Sequence, residues 1–310
     1  MSINLKVISI VVLSVCICIF CGCDRQKHAD IKKAKIGDIE LAYYTRGSGE
    51  PLVMIMGFRG TMALWDPALL DLLEKKYTLI LFDNRGVGLS SDTEENLTTI
   101  PQMAEDTANL IKALGFQKAH VLGWSMGSRI ALELALNYPE RVENLILCSP
   151  NPGGKFQARR KTQAYAKLTS PHVSDEEGLS LIFPDSPEGH KAKRAFVERM
   201  TDAIIGGSVP DDLKISHKTV ERQAHALKLW DEDNHIYDEL PTIKRPTLVV
   251  GGGADVLDQP ENVRLIANRI PFSWSVYFPG AGHNFLSQDY KHFADLINLF
   301  IESTKQEVAE

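Results

Sequence analysis

The chain has 310 residues, of which 44% are hydrophobic and 24% charged, and its net charge is −6. These fractions are typical of a globular protein and exclude a disordered chain, a collagen or a coiled coil. The acidic balance and the lack of a basic block argue against a nucleic-acid partner. Only Cys148 lies beyond the first 23 residues, which hold the other four cysteines, so the body of the protein has no disulfide framework.

The N-terminus has the pattern of an export signal. Lys6 precedes an apolar run from Val7 to Phe20, which is short for a membrane span but has the length of a signal-peptide core. Gly22-Cys23-Asp24 then resembles the cleavage site of a bacterial lipoprotein. The resemblance implies a signal peptide over residues 1–22, a lipid on Cys23 and a protein exported to the cell envelope and anchored to a membrane. An ordinary secretory peptide or an uncleaved anchor is the alternative.

Residues 23–37 are mostly polar and are predicted to be the lipidated N-terminus and a tether. From residue 38, short apolar runs alternate with amphipathic helical segments near 64–75, 102–114, 126–137, 260–269 and 290–303. The predicted strands are Glu40–Thr45, Leu52–Met56, Tyr77–Phe82, Ala119–Leu122, Leu145–Cys148, Thr247–Val250 and Trp274–Phe278. This alternation predicts an α/β fold with a mostly parallel sheet and helices on both faces.

The alternation stops between residues 152 and 240, where the sequence consists of helical segments and loops. A plain loop of this length is uncommon in a compact domain. We therefore predict a helical cap over residues 152–240, inserted into a core formed by residues 38–151 and 241–305. The cap is expected to cover the site, and a stabilising insertion away from the site is the alternative.

Gly123-Trp124-Ser125-Met126-Gly127 lies between a predicted strand and a predicted helix. A sharp turn there would lift the Ser125 hydroxyl above the sheet, and the helix start would offer the backbone N–H of Met126 to a developing oxyanion. With this motif the chain resembles the α/β-hydrolase superfamily over residues 38–303. Met56-Gly57-Phe58 resembles the family's oxyanion loop, although Met56 replaces its frequent histidine, and the resemblance implies Phe58 as the second oxyanion donor.

The resemblance also implies a base and an acid, in the order serine, acid, histidine. His283 lies in Pro279-Gly280-Ala281-Gly282-His283 after the last predicted strand, as the family's catalytic histidine does. Asp255 follows the strand before it and matches the acid, with Asp258 as its competitor. The triad implied is Ser125, Asp255 and His283.

The function predicted is a serine hydrolase that cleaves a small-molecule ester, thioester, lactone or amide through an acyl-enzyme. An acyltransferase or a cofactor-free perhydrolase would use the same residues, and a non-catalytic binding protein of the same fold is a third alternative. No metal site and no cofactor are expected, because HExxH is absent and no G-x-G-x-x-G follows the first strand. The oligomeric state has no signal in the sequence.

Overall fold

A computed structural model describes residues 29–94, 97–158, 162–170 and 172–306. Its centre is an eight-stranded sheet in the order β1-β2-β4-β3-β5-β6-β7-β8. The first two strands are antiparallel to their neighbours, and all the other pairs are parallel. The strands are β1 Lys32–Ile36, β2 Ile39–Arg46, β3 Glu50–Ile55, β4 Tyr77–Phe82, β5 Ala119–Trp124, β6 Val142–Cys148, β7 Thr247–Gly252 and β8 Ser273–Phe278.

The helices of the described ranges begin and end as follows: α1 Pro67–Leu73, α2 Ile100–Ala113, α3 Met126–Asn137, α4 Thr162–Thr169, α5 Asp175–Ile182, α6 Pro187–Ile205, α7 His217–Glu232, α8 His235–Glu239, α9 Glu261–Ala267, α10 Phe285–Gln288 and α11 Tyr290–Gln306. The helices outside the segment between β6 and β7 cover both faces of the sheet. In β3, Val53 and Ile55 pack in the layer of α2, α3 and α9, whereas Leu52 and Met54 pack in the layer of α1 and α11. Two buried faces explain why the strand is apolar throughout.

The prediction that residues 23–37 form a tether is wrong for residues 32–36. They form β1, which pairs with β2 so that Ile36 lies opposite Ile39. The connecting turn contains Gly37 in the left-handed region, with a φ of 58°. Lys32, Lys33 and Lys35 are exposed, and these lysines gave the segment its polar character. An edge strand accommodates them, and β1 is the first strand of the sheet that the described residues form, with β2 as its neighbour there.

The predicted signal peptide and Cys23 lie outside the described residues. Within the described ranges, no helix has both the length and the apolar character that a membrane crossing requires. The described chain starts beside the inserted segment, where the Ala29 N–H donates to the Gly207 carbonyl oxygen at 3.0 Å.

Helices α4 to α8 lie between β6 and β7, in the segment predicted to be a cap. Helix α5 ends at Ile182, and Phe183 is extended with φ −110° and ψ 143°. Pro184 explains this end, because proline disfavours helix in the residue before it. Phe183 packs with Phe196 and Met200 of α6 and with Leu64 of the core, so a small apolar cluster joins the cap to the sheet domain.

Candidate active site

Ser125 occupies a strained turn between β5 and α3. Its backbone has φ 58° and ψ −118°, a conformation that costs a residue with a side chain about 1–3 kcal/mol. The tight turn depends on Gly123, where a Cβ atom would lie 2.2 Å from the Gly127 carbonyl oxygen. The Ser125 N–H donates to the Cys148 carbonyl oxygen at 2.9 Å, so the turn is fixed against the end of β6. The sequence thus folds into the elbow predicted for a nucleophilic serine.

The site lies at the carboxyl edge of the parallel strands. In the register of the sheet, Trp124 pairs with Cys148 and Cys148 with Val250. The residues that follow these strands therefore meet at one edge, which is where open α/β sheets bind their ligands.

Asp255 and His283 form a buried hydrogen-bonded pair at this edge. His283 Nδ1 and Asp255 Oδ2 are 2.7 Å apart, and His283 and Asp255 are 2% and 3% exposed respectively. The other carboxylate oxygen of Asp255 accepts from the N–H groups of Leu257 and Asp258 at 2.8 and 3.1 Å. A carboxylate only accepts hydrogen bonds, so the proton lies on Nδ1 and the neutral ring keeps Nε2 as an acceptor.

Trp124 connects this pair to the elbow. The Trp124 indole N–H donates to the His283 carbonyl oxygen at 3.0 Å, and the two ring centroids are 5.7 Å apart. The Ser149 hydroxyl donates to the same carbonyl oxygen at 3.3 Å. His283 is thereby held next to the residue that precedes Ser125.

The pKa of His283 reflects two opposing effects. Burial lowers the pKa, but the negative charge of Asp255 and its hydrogen bond outweigh burial, so the pKa lies above the ordinary value of 6.5. The raised pKa means that the ring binds a proton more tightly than an ordinary histidine does, as suits a general base.

The loop after β3 lies against Ser125. A Cβ atom on Gly57 would lie 3.1 Å from both the Ser125 Cβ and the Trp124 carbonyl oxygen. Phe58 follows directly and is half-buried. Met126 is the first residue of α3, so its N–H has no carbonyl partner within the helix. The two residues predicted to bind an oxyanion therefore come from segments that meet at Ser125.

Asp258, the competing acid, has a different partner. One guanidinium nitrogen of Arg129 on α3 donates to both of its carboxylate oxygens, at 2.7 and 2.9 Å. The Asn151 amide donates to one of the same oxygens at 3.0 Å. All three residues are buried, so Asp258 belongs to an ion pair that joins the acid loop to the elbow helix.

The loop that contains Asp83 and Ser90 is structural. The Asp83 carboxylate accepts from the N–H groups of Met62 and Leu89 at 2.7 and 3.0 Å, and its backbone oxygen accepts from the Ser90 hydroxyl at 2.7 Å. Burial raises the pKa of Asp83 to about 6, although both N–H donors favour its charged form. These hydrogen bonds join the loop to the segment that contains Met62.

A cavity of about 970 Å³ opens between the cap and the loop that carries Asp255. Phe183 and Pro184 of the cap face Val256 and Pro279 of the core across it. Among the described residues, its walls include Asp255 but neither Ser125 nor His283. The cavity thus borders Asp255 and does not reach the hydroxyl group of Ser125. In the same described ranges, no three histidine, cysteine, aspartate or glutamate side chains gather as metal ligands would.

Two groups of residues around the site, buried or half-buried, were not found from the sequence. Arg129 had a signal, since it is a charged residue on the apolar helix MGSRIALELALN and a buried arginine needs an acid partner. Gln223 and Arg199 of the cap had none, because each contacts a residue more than 100 positions away.

Comparisons with known proteins identify the family. The family described as alpha/beta hydrolase fold matches residues 50–290. Over 253 residues the chain is 30% identical to a Mycobacterium tuberculosis protein provisionally named a non-heme bromoperoxidase, covering 79% of this chain and 91% of that protein. It is 29% identical over 264 residues to the pimeloyl-acyl-carrier-protein methyl ester esterase of Aeromonas salmonicida, covering 82% of this chain and 96% of the esterase.

Solved structures share the fold. An alpha/beta hydrolase fold protein from Chitinophaga pinensis superimposes with a TM-score of 0.79 at 25% identity, covering 90% of this chain and 99% of that one. The predicted fold class is confirmed by this match and by the sheet topology. The chain belongs to the alpha/beta hydrolase fold family, and it is an enzyme of the hydrolase class.

Proposed function

We propose that the protein is a serine hydrolase that cleaves an ester, thioester, lactone or amide through an acyl-enzyme. The observation that carries the proposal is the buried pair of His283 and Asp255, held by Trp124 beside the strained turn of Ser125. A serine hydroxyl near its ordinary pKa is a poor nucleophile and needs such a base.

Each residue has one task in the proposed reaction. The Ser125 oxygen attacks the carbonyl carbon of the substrate while its proton passes to His283 Nε2. The N–H groups of Phe58 and Met126 bind the oxyanion. His283 then returns the proton to the leaving alcohol, thiol or amine, and the acyl group stays on Ser125. Water deprotonated by His283 attacks the acyl-enzyme and releases the carboxylic acid.

The relatives favour a carboxylic ester as the substrate class, because one of them is named a methyl ester esterase. The relative named a bromoperoxidase supports a second candidate, in which hydrogen peroxide replaces water as the acyl acceptor and a peracid is released. Two further alternatives are compatible with the same fold. They are transfer of the acyl group to an acceptor other than water or peroxide, and ligand binding without catalysis.

The cap is proposed to cover Ser125 and shape the acyl pocket. Support comes from its position after β6, at the sheet edge where ligands bind, and from its apolar contact with Leu64. Exclusion of water from the pocket by the cap would strengthen the polar interactions with the oxyanion.

A fluorophosphonate probe and a series of nitrophenyl esters of increasing chain length test the proposal. The probe should label the wild type, and Ser125→Ala should remove labelling and lower kcat by about 10⁴-fold or more. Ser128→Ala is the matched control, because its hydroxyl lies in the same turn and donates to the Ser125 carbonyl oxygen. Hydrolysis by Ser125→Ala within about tenfold of the wild-type rate would overturn the proposal. Peroxide added to the assay distinguishes the perhydrolase by its peracid product.

We also propose that the protein is lipidated on Cys23 and attached to a membrane of the cell envelope. The proposal rests on the apolar run and Gly22-Cys23, followed by a polar segment. Labelled palmitate should enter the wild type but not Cys23→Ser, and the mature chain should begin at residue 23. An unlabelled product with another N-terminus would favour an ordinary secretory signal.

A further inference from the structure

Gln223 of cap helix α7 contacts the loop that precedes the site. Its side-chain oxygen accepts a hydrogen bond from the Arg59 backbone N–H at 3.0 Å. Gln223 is completely buried, and its partner is the residue directly after Phe58. The cap therefore reaches the backbone of the loop that carries a proposed oxyanion donor.

Arg59 needs such support because its backbone is in an unfavourable region. Its φ is 60°, which residues with a side chain adopt rarely. Its guanidinium also donates to the Ser170 carbonyl oxygen at 2.9 Å, beyond the end of α4. Two contacts from the cap thus hold one residue of the core in a left-handed conformation.

The contact with Arg59 fixes the orientation of the Gln223 side-chain amide. Since a backbone N–H can only donate, the glutamine oxygen must face Arg59, and this fixes the orientation of the amide. Its Nε2 is then buried without a hydrogen-bond partner within the part of the chain that the structure describes. An apolar side chain of similar shape would remove this buried amide nitrogen but would leave the Arg59 N–H without its acceptor, so the glutamine oxygen is the group that this position supplies.

We infer that Gln223 is a positioning residue for the oxyanion loop, an inference that rests on the proposed role of the Phe58 N–H. The hydrogen bond holds the peptide plane between Phe58 and Arg59, and this limits the rotation of the neighbouring peptide plane, which carries the Phe58 N–H. The Phe58 N–H then points to the oxyanion before substrate binds, without reorganisation during the reaction. The cap controls the rate of the chemical step through this contact.

The test compares Gln223→Met, which has similar length but no strong acceptor, with Gln223→Glu, which keeps an acceptor oxygen. We expect Gln223→Met to lower kcat by about 10–100-fold, with a KM within about threefold of wild type, because the oxyanion is bound only in the transition state. The affinity for a trifluoromethyl ketone, which forms a tetrahedral oxyanion adduct, should fall by a similar factor. Gln223→Glu should recover most of both quantities.

Thr219→Val is the matched control. Thr219 lies one turn earlier on α7, and its hydroxyl donates to the Gly86 carbonyl oxygen at 2.6 Å, so the variant also loses a contact between cap and core. It should lower the thermal midpoint without changing kcat or the ketone affinity. Should Gln223→Met fail to fold, Gln223→Asn withdraws the acceptor by one methylene and keeps the polarity.

Equal losses of kcat in Thr219→Val and Gln223→Met would show a merely structural role and overturn the inference. Unchanged kcat and ketone affinity in Gln223→Met would overturn it as well. Either result leaves the proposed function intact as long as Ser125→Ala is inactive. An active Ser125→Ala would instead remove the proposed function itself.

Discussion

Arg129 and Asp258 form a buried ion pair between the helix that follows Ser125 and the loop that carries Asp255. One nitrogen of the arginine reaches both carboxylate oxygens, and Asn151 donates to one of them. The two aspartates of the loop, three residues apart, therefore have separate partners. Asp255 faces the histidine, and Asp258 fixes the loop on which Asp255 lies.

The first prediction separates these aspartates. Asp255→Asn should lower kcat by about 10⁴-fold, because the asparagine amide favours the wrong tautomer of His283. Its unfolding free energy should change little in comparison. Asp258→Asn should instead lower the unfolding free energy by about 3 kcal/mol, since the charge of Arg129 stays buried without a counter-charge. Steady-state kinetics and denaturant unfolding of both variants measure the difference. A larger loss of kcat in Asp258→Asn would exchange the two roles.

The second prediction concerns pH. His283 must be neutral to accept the serine proton, so kcat/KM should rise with pH through a midpoint above 6.5. In Asp255→Asn the charge that raises the pKa is gone and burial remains, so the midpoint of the residual activity should move to lower pH. Profiles of both proteins at one ionic strength check this. A midpoint shared by the two proteins would show that Asp255 does not set the pKa.

The raised pKa of His283 also makes the stability of the fold depend on pH. Because the pKa of His283 is raised in the folded state, its protonated form stabilises the fold below pH 6.5. This contribution is lost as the pH rises through the raised pKa. The unfolding free energy of wild type relative to His283→Gln should therefore decrease across that window. A flat difference between the two proteins would contradict the expected sign.

The third prediction concerns Gly57. An alanine Cβ there would lie 3.1 Å from the Ser125 Cβ, which is closer than ordinary contact and would displace the oxyanion loop. Gly57→Ala should lower kcat by about tenfold or more, since small displacements of catalytic groups are costly. Gly178→Ala is the control, because an added Cβ would meet no atom of the described residues within 4 Å and α5 should gain stability. Equal kcat values for the two variants would exclude a close approach at Gly57.

The fourth prediction concerns the attachment of the cap. Arg199 on α6 donates to both carboxylate oxygens of Asp66, which is buried and caps α1, and to the Ser287 carbonyl oxygen at 3.2 Å. Arg199→Met should loosen the attachment of α6 to the core. The variant should therefore change KM and the preference for ester chain length. Labelling of Ser125 by a small fluorophosphonate should persist. Arg194→Met, an exposed position on the same helix, is the control. An ester profile identical to wild type would show that α6 does not border the acyl pocket.

The sheet and the order of the proposed catalytic residues were accessible from the sequence for a physical reason. Strands buried on both faces are continuous apolar runs, and the elbow requires glycines within a few residues of the serine. Both features are local in sequence. Lysine-rich β1 was missed because an exposed edge strand has no apolar run, and its pairing with β2 is what makes it a strand.

The residues that hold the site in place could not be predicted from the sequence, because they depend on contacts between segments that are far apart in the chain. Gln223 reaches Arg59 across 164 positions, and Arg199 reaches Asp66 across 133. Neither residue stands in a local pattern that distinguishes it from an ordinary polar residue on a helix. Only the packing of the cap on the core brings each to its partner.

The lysines of β1 also limit how the sheet can grow. Within the described ranges, β1 has a neighbouring strand on one side only, so one row of its backbone N–H and C=O groups faces no other described strand. Such a row is a template for a strand from another molecule. Lys32, Lys33 and Lys35 are exposed along it, and charged side chains on an edge strand, lysine above all, disfavour pairing with another strand. The charges that disguised β1 in the sequence therefore disfavour intermolecular strand pairing at this edge of the folded protein.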